Sequence, residues 1–209
     1  VTGVDLYDYL AQQVFEQQEE SIQKFLLYSS LFGEFDETLC QRILAPEFYP
    51  LDTKWSALLS SVVTNNLFIQ PVGNEAPWFR YHSLFQEFLS RRIHEEHPEQ
   101  ANVILDKLAH YYIQNQIWEK AYKVRKEQGI PELIAEMIEL SIPALMQNCQ
   151  ISLCRQWVDD LPIEITESHP FLLAAKGHAY TSIDLATSLV MLDHAVEMVG
   201  DGQESTTYV

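Results

Sequence analysis

The chain is poor in positive charge, cysteine and glycine, and each shortage narrows what it can do. Of 209 residues, 13 are Lys or Arg against 30 Asp or Glu, a formal charge of −17. The deficit is even: residues 1–98 hold 14 acidic and 6 basic side chains, a net −8, and residues 99–209 hold 16 and 7, a net −9. Sequence-independent affinity for nucleic acid comes from Lys and Arg neutralising phosphates, so direct DNA binding is not expected. The three cysteines, Cys40, Cys149 and Cys154, are too few and too odd in number for a disulfide scaffold. They fit a reducing, cytoplasmic compartment. Cys149 and Cys154 are spaced neither as CxxC nor as zinc ligands, and buried free thiols are expected. The seven glycines never form GxxxxGK[ST] or GxGxxG, which removes a phosphate loop. No apolar run reaches the roughly 20 residues that cross a bilayer, so no membrane role is expected. The start, Val1-Thr2-Gly3-Val4-Asp5, has no basic leader and no initiator Met. A piece of a longer chain is expected.

What is present is a hydrophobic fraction of 47%, too high for a disordered acidic tail and enough for a core. Its period is helical almost throughout. Leu6, Leu10, Val14 and Phe15 mark a helix from about Asp5 to Glu19. Ser21–Leu31 follows, turning Phe25, Leu26, Leu27 and Leu31 inward, and Gly33 stops it. Asp36 or Thr38 starts a short helix through Leu44. Asp52 or Thr53 caps another that carries Trp55, Leu58, Leu59, Val62 and Val63. Leu67–Val72 and Trp78–Tyr81 form a hairpin around Gly73–Pro77, the place of a wing. A closing helix presents Leu84, Phe85, Phe88, Leu89 and Ile93 on one face. One core is predicted to hold Leu27, Leu31, Leu59, Leu67, Phe85, Phe88 and Leu89.

The charged stretch Glu95-Glu96-His97-Pro98-Glu99 sets the first boundary. Beyond it lies a helical stripe of Val103, Leu105, Leu108, Ala109 and Tyr112, then Trp118–Val124 before Gly129. Pro131 opens a further helix, more follow around Ser141–Asn148 and Leu153–Leu161, and Pro162 ends the last. Pro170 opens a final pair, Phe171–Thr181 and Leu185–Val199, with a polar, frayed end from Gly200. Ala174, Ala175, Gly177 and Ala179 let that pair pack closely, as in a tetratricopeptide-like hairpin or a lone hairpin capping the arm. The domains are thus 1–98, a winged helix; 99–169, a helical arm; and 170–209, a TPR-like hairpin that starts a superhelical repeat. The fold class is mainly α with one small β-hairpin.

No catalytic or metal constellation emerges. His94-Glu95-Glu96-His97 is not HExxH and reads as a solvated helix end; His178 and His194, even if they face each other across the final hairpin, make no complete site. No serine sits in GxSxG. Trp55, Trp78, Trp118 and Trp157 fall at core positions, and Arg91 and Arg92 read as a solvated helix face near a C-terminus. The stretch Trp78–Leu89 is the most informative. It begins with a strand period and ends with a helical one, and His82 and Ser83 sit at the junction, with Ser83 able to cap. An imidazole there either packs at the corner or points, with free N–H groups, at an anion. Arg80, two residues earlier, shares its strand face if the strand runs that far.

Phe25–Leu31, Leu39-Cys40, Leu58-Leu59, Asn66–Ile69 and Arg80–Phe85, in that order, resemble the winged-helix module of signal-transducing (STAND-type) P-loop ATPases. Among these the chain is most similar to the large LuxR-tailed, maltose-activator-like transcription regulators. A weaker similarity continues to the end, into the helical arm and first superhelical repeats. The resemblance implies a regulatory middle fragment that is not itself an enzyme and holds no cofactor alone. In such proteins an upstream nucleotide-binding domain binds ADP or ATP with Mg, and the winged helix closes over ADP with its histidine on the β-phosphate. His82 holds that place here, with Arg80 as a second candidate. Tyr81-His82-Ser83-Leu84 has serine where related plant and apoptotic proteins carry an acid. The implied partners are the upstream domain and, on the repeats, an inducer or regulatory protein. The alternative is a stand-alone helical scaffold for protein partners.

A fluorescence-anisotropy titration of residues 1–98 with DNA at physiological salt should show no specific binding. Sub-micromolar, sequence-selective affinity would overturn the charge-based reading.

Overall fold

Apolar residues recurring every three to four positions produce twelve α-helices and one hairpin within residues 3–65, 68–73 and 78–205, the part described by the computed structural model. Leu67 and the wing residues 74–77 lie outside that part, so their predicted roles are not addressed. The chain divides at Leu108 and Ala109 into two units.

In the first unit, α1 (Gly3–Glu16) buries Ala11 and Phe15, whereas Leu6 and Leu10 are 57% and 49% exposed. The expected stripe was one position out of phase, because the small Ala11 carries the inward face. Phe15 meets Phe88 edge-on at 6.2 Å and lies under the Arg92 guanidinium at 4.7 Å. Helix α2 (Glu20–Ser29) buries Ile22, Phe25, Leu26 and Leu27. In α3 (Glu37–Leu44) the Asp36 carboxylate accepts the Leu39 N–H at 2.8 Å, one of the two predicted caps. Helix α4 (Trp55–Thr64) has no such cap: Lys54 is its N-cap residue, and the Thr53 hydroxyl turns back to donate to Pro50 O at 2.6 Å. Strands β1 (Ile69–Val72) and β2 (Trp78–Tyr81) pair antiparallel, Ile69 opposite Tyr81. Phe35 adds a third rung, donating to Phe79 O at 2.9 Å and accepting Phe79 N–H at 2.7 Å. Helix α5 (Ser83–Glu96) closes the unit with Phe85, Phe88, Leu89 and Ile93 inward; Leu84, expected on the same face, is 46% exposed because it lies in the open first turn. Of the predicted core, Leu27, Leu31, Leu59, Phe85, Phe88 and Leu89 are all buried. On α6 (Pro98–Gln114), the expected stripe residues Leu105, Leu108, Ala109 and Tyr112 are buried, joined by Ala101 and Ile104, and only Val103 of that stripe is exposed.

In the second unit, α7 (Trp118–Gln128) ends at Gly129, whose φ of 68° is the left-handed cap that glycine adopts without strain. Helix α8 (Pro131–Gln147) runs unbroken through Pro143, where two segments were expected. Helix α9 (Ile151–Asp159) places Trp157 flat on Tyr122 at 4.5 Å; the Tyr122 hydroxyl donates to Asp160 at 2.8 Å, beside Lys126 Nζ at 2.6 Å. Those two bonds, Lys126 first, hold the Asp160 carboxyl below its ordinary range. The short α10 (Ile163–Ser168) was not anticipated, and α12 (Leu185–Ser205) outlasts its expected end at Val199. Helix α11 (Pro170–Tyr180) packs against α12 through Gly177, where a Cβ would lie 3.0 Å from Leu192 Cγ.

Phe88→Ala should cost about 3–5 kcal/mol, because it removes a buried ring between Phe15 and Phe85. Urea denaturation measures it; an unchanged midpoint would show that this face of α5 is not core.

Candidate functional site

The corner between β2 and α5 is built from the inside out. Tyr81 is buried, and its hydroxyl lies 2.6 Å from Ser29 Oγ. Ser29 has a single proton and gives it to Phe25 O at 2.6 Å, so Tyr81 is the donor of the pair. Burial raises the Tyr81 phenol far above its usual range, opposed by the Ser29 bond, and the group stays a neutral donor. The strand ends there. His82 adopts φ −59° and ψ 135°, donates its backbone N–H to Phe68 O at 2.7 Å and accepts Gln86 N–H at 2.9 Å. It is therefore the N-cap residue, and Ser83, predicted to cap, is the first helical residue. The strand stops at Tyr81, so Arg80 and His82 do not share a strand face. Arg80 lies on the exposed side of β2 opposite Gln70.

The His82 side chain makes no cap bond and is exposed. The Tyr7 ring stands 6.3 Å from it and 6.2 Å from Phe68. Ser83 and Leu84 are exposed as well. The corner thus offers an open helix N-terminus, whose first N–H groups have no intrahelical acceptor, beside an accessible imidazole. Such a surface suits hydrogen bonds to one edge of an anion; it holds no nucleophile or paired acid and base.

Gln86, which the sequence reading passed over, fixes the corner. Its Nε2 donates to Ser30 O and Phe32 O, both at 2.9 Å, which α2 leaves without helical partners. The available signal was a lone amide between the apolar positions Phe85 and Phe88. Arg91 is not simply solvated: it meets Asp8 at 2.9 Å and ties α1 to α5, while Arg92 meets Glu96 at 2.8 Å.

Other sequence candidates disperse. His94 Nδ1 lies 2.7 Å from Ser90 O within its own helix, and His97 ends α5 in solvent. His178 and His194 line different grooves rather than facing each other. Among the described residues no three His, Cys, Asp or Glu side chains cluster as metal ligands. Cys40 and Cys154 are buried, and burial pushes both thiols up; Cys149 is exposed in the turn after α8 at φ 56°, against the expectation of a buried thiol. No helix among the described residues is long and apolar enough to cross a membrane.

The helix–bridge–helix–helix–hairpin order of the first unit has a counterpart in known proteins. Residues 11–101 match the MalT winged helix domain. That segment is similar to the MalT winged helix. The HTH-type transcriptional regulator MalT of Vibrio parahaemolyticus is 26% identical over 184 residues, which cover 85% of this chain and 20% of that protein. The Vibrio cholerae MalT is 30% identical over 95 residues, 46% of this chain and 10% of that protein. The Klebsiella pneumoniae MalT is 22% identical over 204 residues, 95% of this chain and 22% of that protein. The chain spans about a fifth of the length of the curated relatives it matches over most of its own length. It is similar to a region of MalT-like transcription regulators, and it is mainly α-helical, with the winged helix at its start.

Gln86→Ala strands two carbonyls at the corner and should cost about 1–3 kcal/mol. Hydrogen exchange at the 82–86 amides should quicken with it. Unchanged exchange there would mean that Gln86 does not hold the corner.

Proposed function

We propose that this chain is the regulatory middle region of a STAND-type, ATP-dependent transcription regulator. In this reading an upstream nucleotide-binding domain carries ADP or ATP with Mg, and the winged helix closes over it in the resting state. His82 donates a ring N–H to the β-phosphate, Arg80 is a secondary contact, and the open N-terminus of α5 adds its dipole. The arm and the TPR-like terminal hairpin receive the inducer or a regulatory protein. The region is not an enzyme, does not bind DNA itself and acts in the cytoplasm. The observation that carries this reading is the pose of His82. It caps a 14-residue helix through its backbone alone, leaving the ring exposed beside that helix's N–H groups. The match of residues 11–101 to the MalT winged helix supplies the context. Of a nucleotide site this chain offers one side only; the phosphate loop would come from the upstream domain.

A stand-alone interaction scaffold is the second reading. It is favoured by α12, which leaves Leu185, Leu189, Val190 and Val196 more than half exposed. Such a face suits further helices.

The test is His82→Ala in the full-length parent. A charge-assisted hydrogen bond contributes about 1.5–3 kcal/mol, so ADP should dissociate roughly ten- to a hundred-fold more readily. The same change in residues 1–209 alone should leave the thermal midpoint almost unmoved, since the ring is exposed. ADP held as tightly as by wild type would reduce His82 to a corner residue.

A further inference from the structure

A groove of about 820 Å³ runs between α8 and α11 of the second unit. Its lining includes short or flexible side chains, Ala174 and Met146 among them, with Leu140 and Phe171, which are 58% and 68% exposed. Glu136 and Glu139 stand at one end, His178 also lines the groove, and among the described residues no Lys or Arg does. The α8 wall, Glu136 to Met146, is about 15 Å long at 1.5 Å per residue. That length accommodates apolar anchors at i, i+4 and i+7 of a docked helix, which span about 10 Å. It far exceeds the needs of one side chain.

The acidic end carries two carboxylates three residues apart on α8, Glu136 and Glu139. Glu139 is half-buried, and burial raises its carboxyl above the ordinary range; His169 opposes this and Glu136 reinforces it. Pro143 lines the same groove and has no N–H, so the α-helical bond to Glu139 C=O cannot form. Two carboxylates are therefore gathered where an apolar trough ends.

We propose that the groove between α8 and α11 binds an amphipathic helix of a partner protein, with apolar anchors in the trough and a Lys or Arg against Glu136 and Glu139. The anchors bury on Phe171, Leu140 and Met146, and the flexible thioether lets the lining adapt to their shape. The cation sets direction, because only one end of the trough is acidic. The site deepens the partner-binding half of the proposed function but needs no nucleotide, so it stands or falls separately from His82.

The test uses residues 1–209 as bait for a displayed library of 16-residue amphipathic helices of mixed charge. Enriched peptides should carry apolar residues at i, i+4 and i+7 with Lys or Arg at one end. Their anisotropy-measured affinity should fall about fivefold or more for Glu136→Gln/Glu139→Gln, as for loss of a pair worth about one logarithmic step or slightly less. Phe171→Ala, at an exposed position, should weaken them further while leaving the thermal midpoint unchanged. Acidic or uncharged winners, binding that survives these variants, no enrichment over bait-free beads, or a dimer of the chain itself that Phe171→Asp dissolves would each overturn the proposal.

Discussion

Everything at the strand–helix corner depends on how α5 is seated against the end of α2. Burial of Phe85 and Leu89 supplies most of the attraction, but apolar burial is non-directional and would tolerate a small rotation or slide of the helix. The Gln86 amide removes that freedom. Its two donors reach two carbonyls, Ser30 O and Phe32 O, that sit at fixed positions where α2 unwinds. A shift of one residue along α5 would break both bonds and strand both carbonyls. From the other side, β2 is pinned by the buried Tyr81–Ser29 contact and by the Phe35 rung. His82 lies between these two anchors, and its exposure is a consequence of them.

The same economy explains where the scarce cations go. Arg91 binds Asp8, Arg92 binds Glu96 and covers Phe15, Lys107 pairs with Glu47, and Lys24 donates to Phe48 O at 3.0 Å. These side chains stitch elements of the first unit together instead of forming a basic stripe. Pairs this exposed contribute little each, so their effect is on orientation more than on stability. Arg80, on the exposed side of β2, is left out of this stitching.

Most elements were legible because long amphipathic runs announce themselves. The α5 face, the Asp36 cap, the Gly129 stop, the Pro131 start and the Tyr81–Trp78 hairpin strand all follow local chemistry. The failures share a cause: a periodicity count weighs bulk, whereas packing also uses small residues. Ala11 and Ala101 take inward positions, so Leu6 and Val103 turn outward. Pro143 reads as a break, yet one missing hydrogen bond is tolerated inside a 17-residue helix packed by Met137, Ile138 and Leu145. Cys149 sits just past the helix that was expected to bury it, in a left-handed turn that spacing alone does not reveal. At the candidate site, the histidine and its corner could be read from a change of period. Gln86 could not, because its partners are backbone atoms more than fifty residues away.

Small residues also decide the character of α11, and they do so differently on its two sides. Toward α12 the missing side chain of Gly177 is occupied at once by Leu192 and Met191, both within 3.2 Å of where a Cβ would be. Close approach there converts smallness into dense packing. Toward α8 the short side chains of Ala174 and Ala175 line one groove with Pro143 and Met146, and none of the described residues fills it. Had the sequence placed leucines on that side, the trough would be closed by the helix's own apolar bulk, each buried methylene adding about 0.8 kcal/mol. Alanine forgoes that gain. With two glutamates at its end and Phe171 about two-thirds exposed at its edge, the open side of α11 has the composition that the proposed docked helix requires.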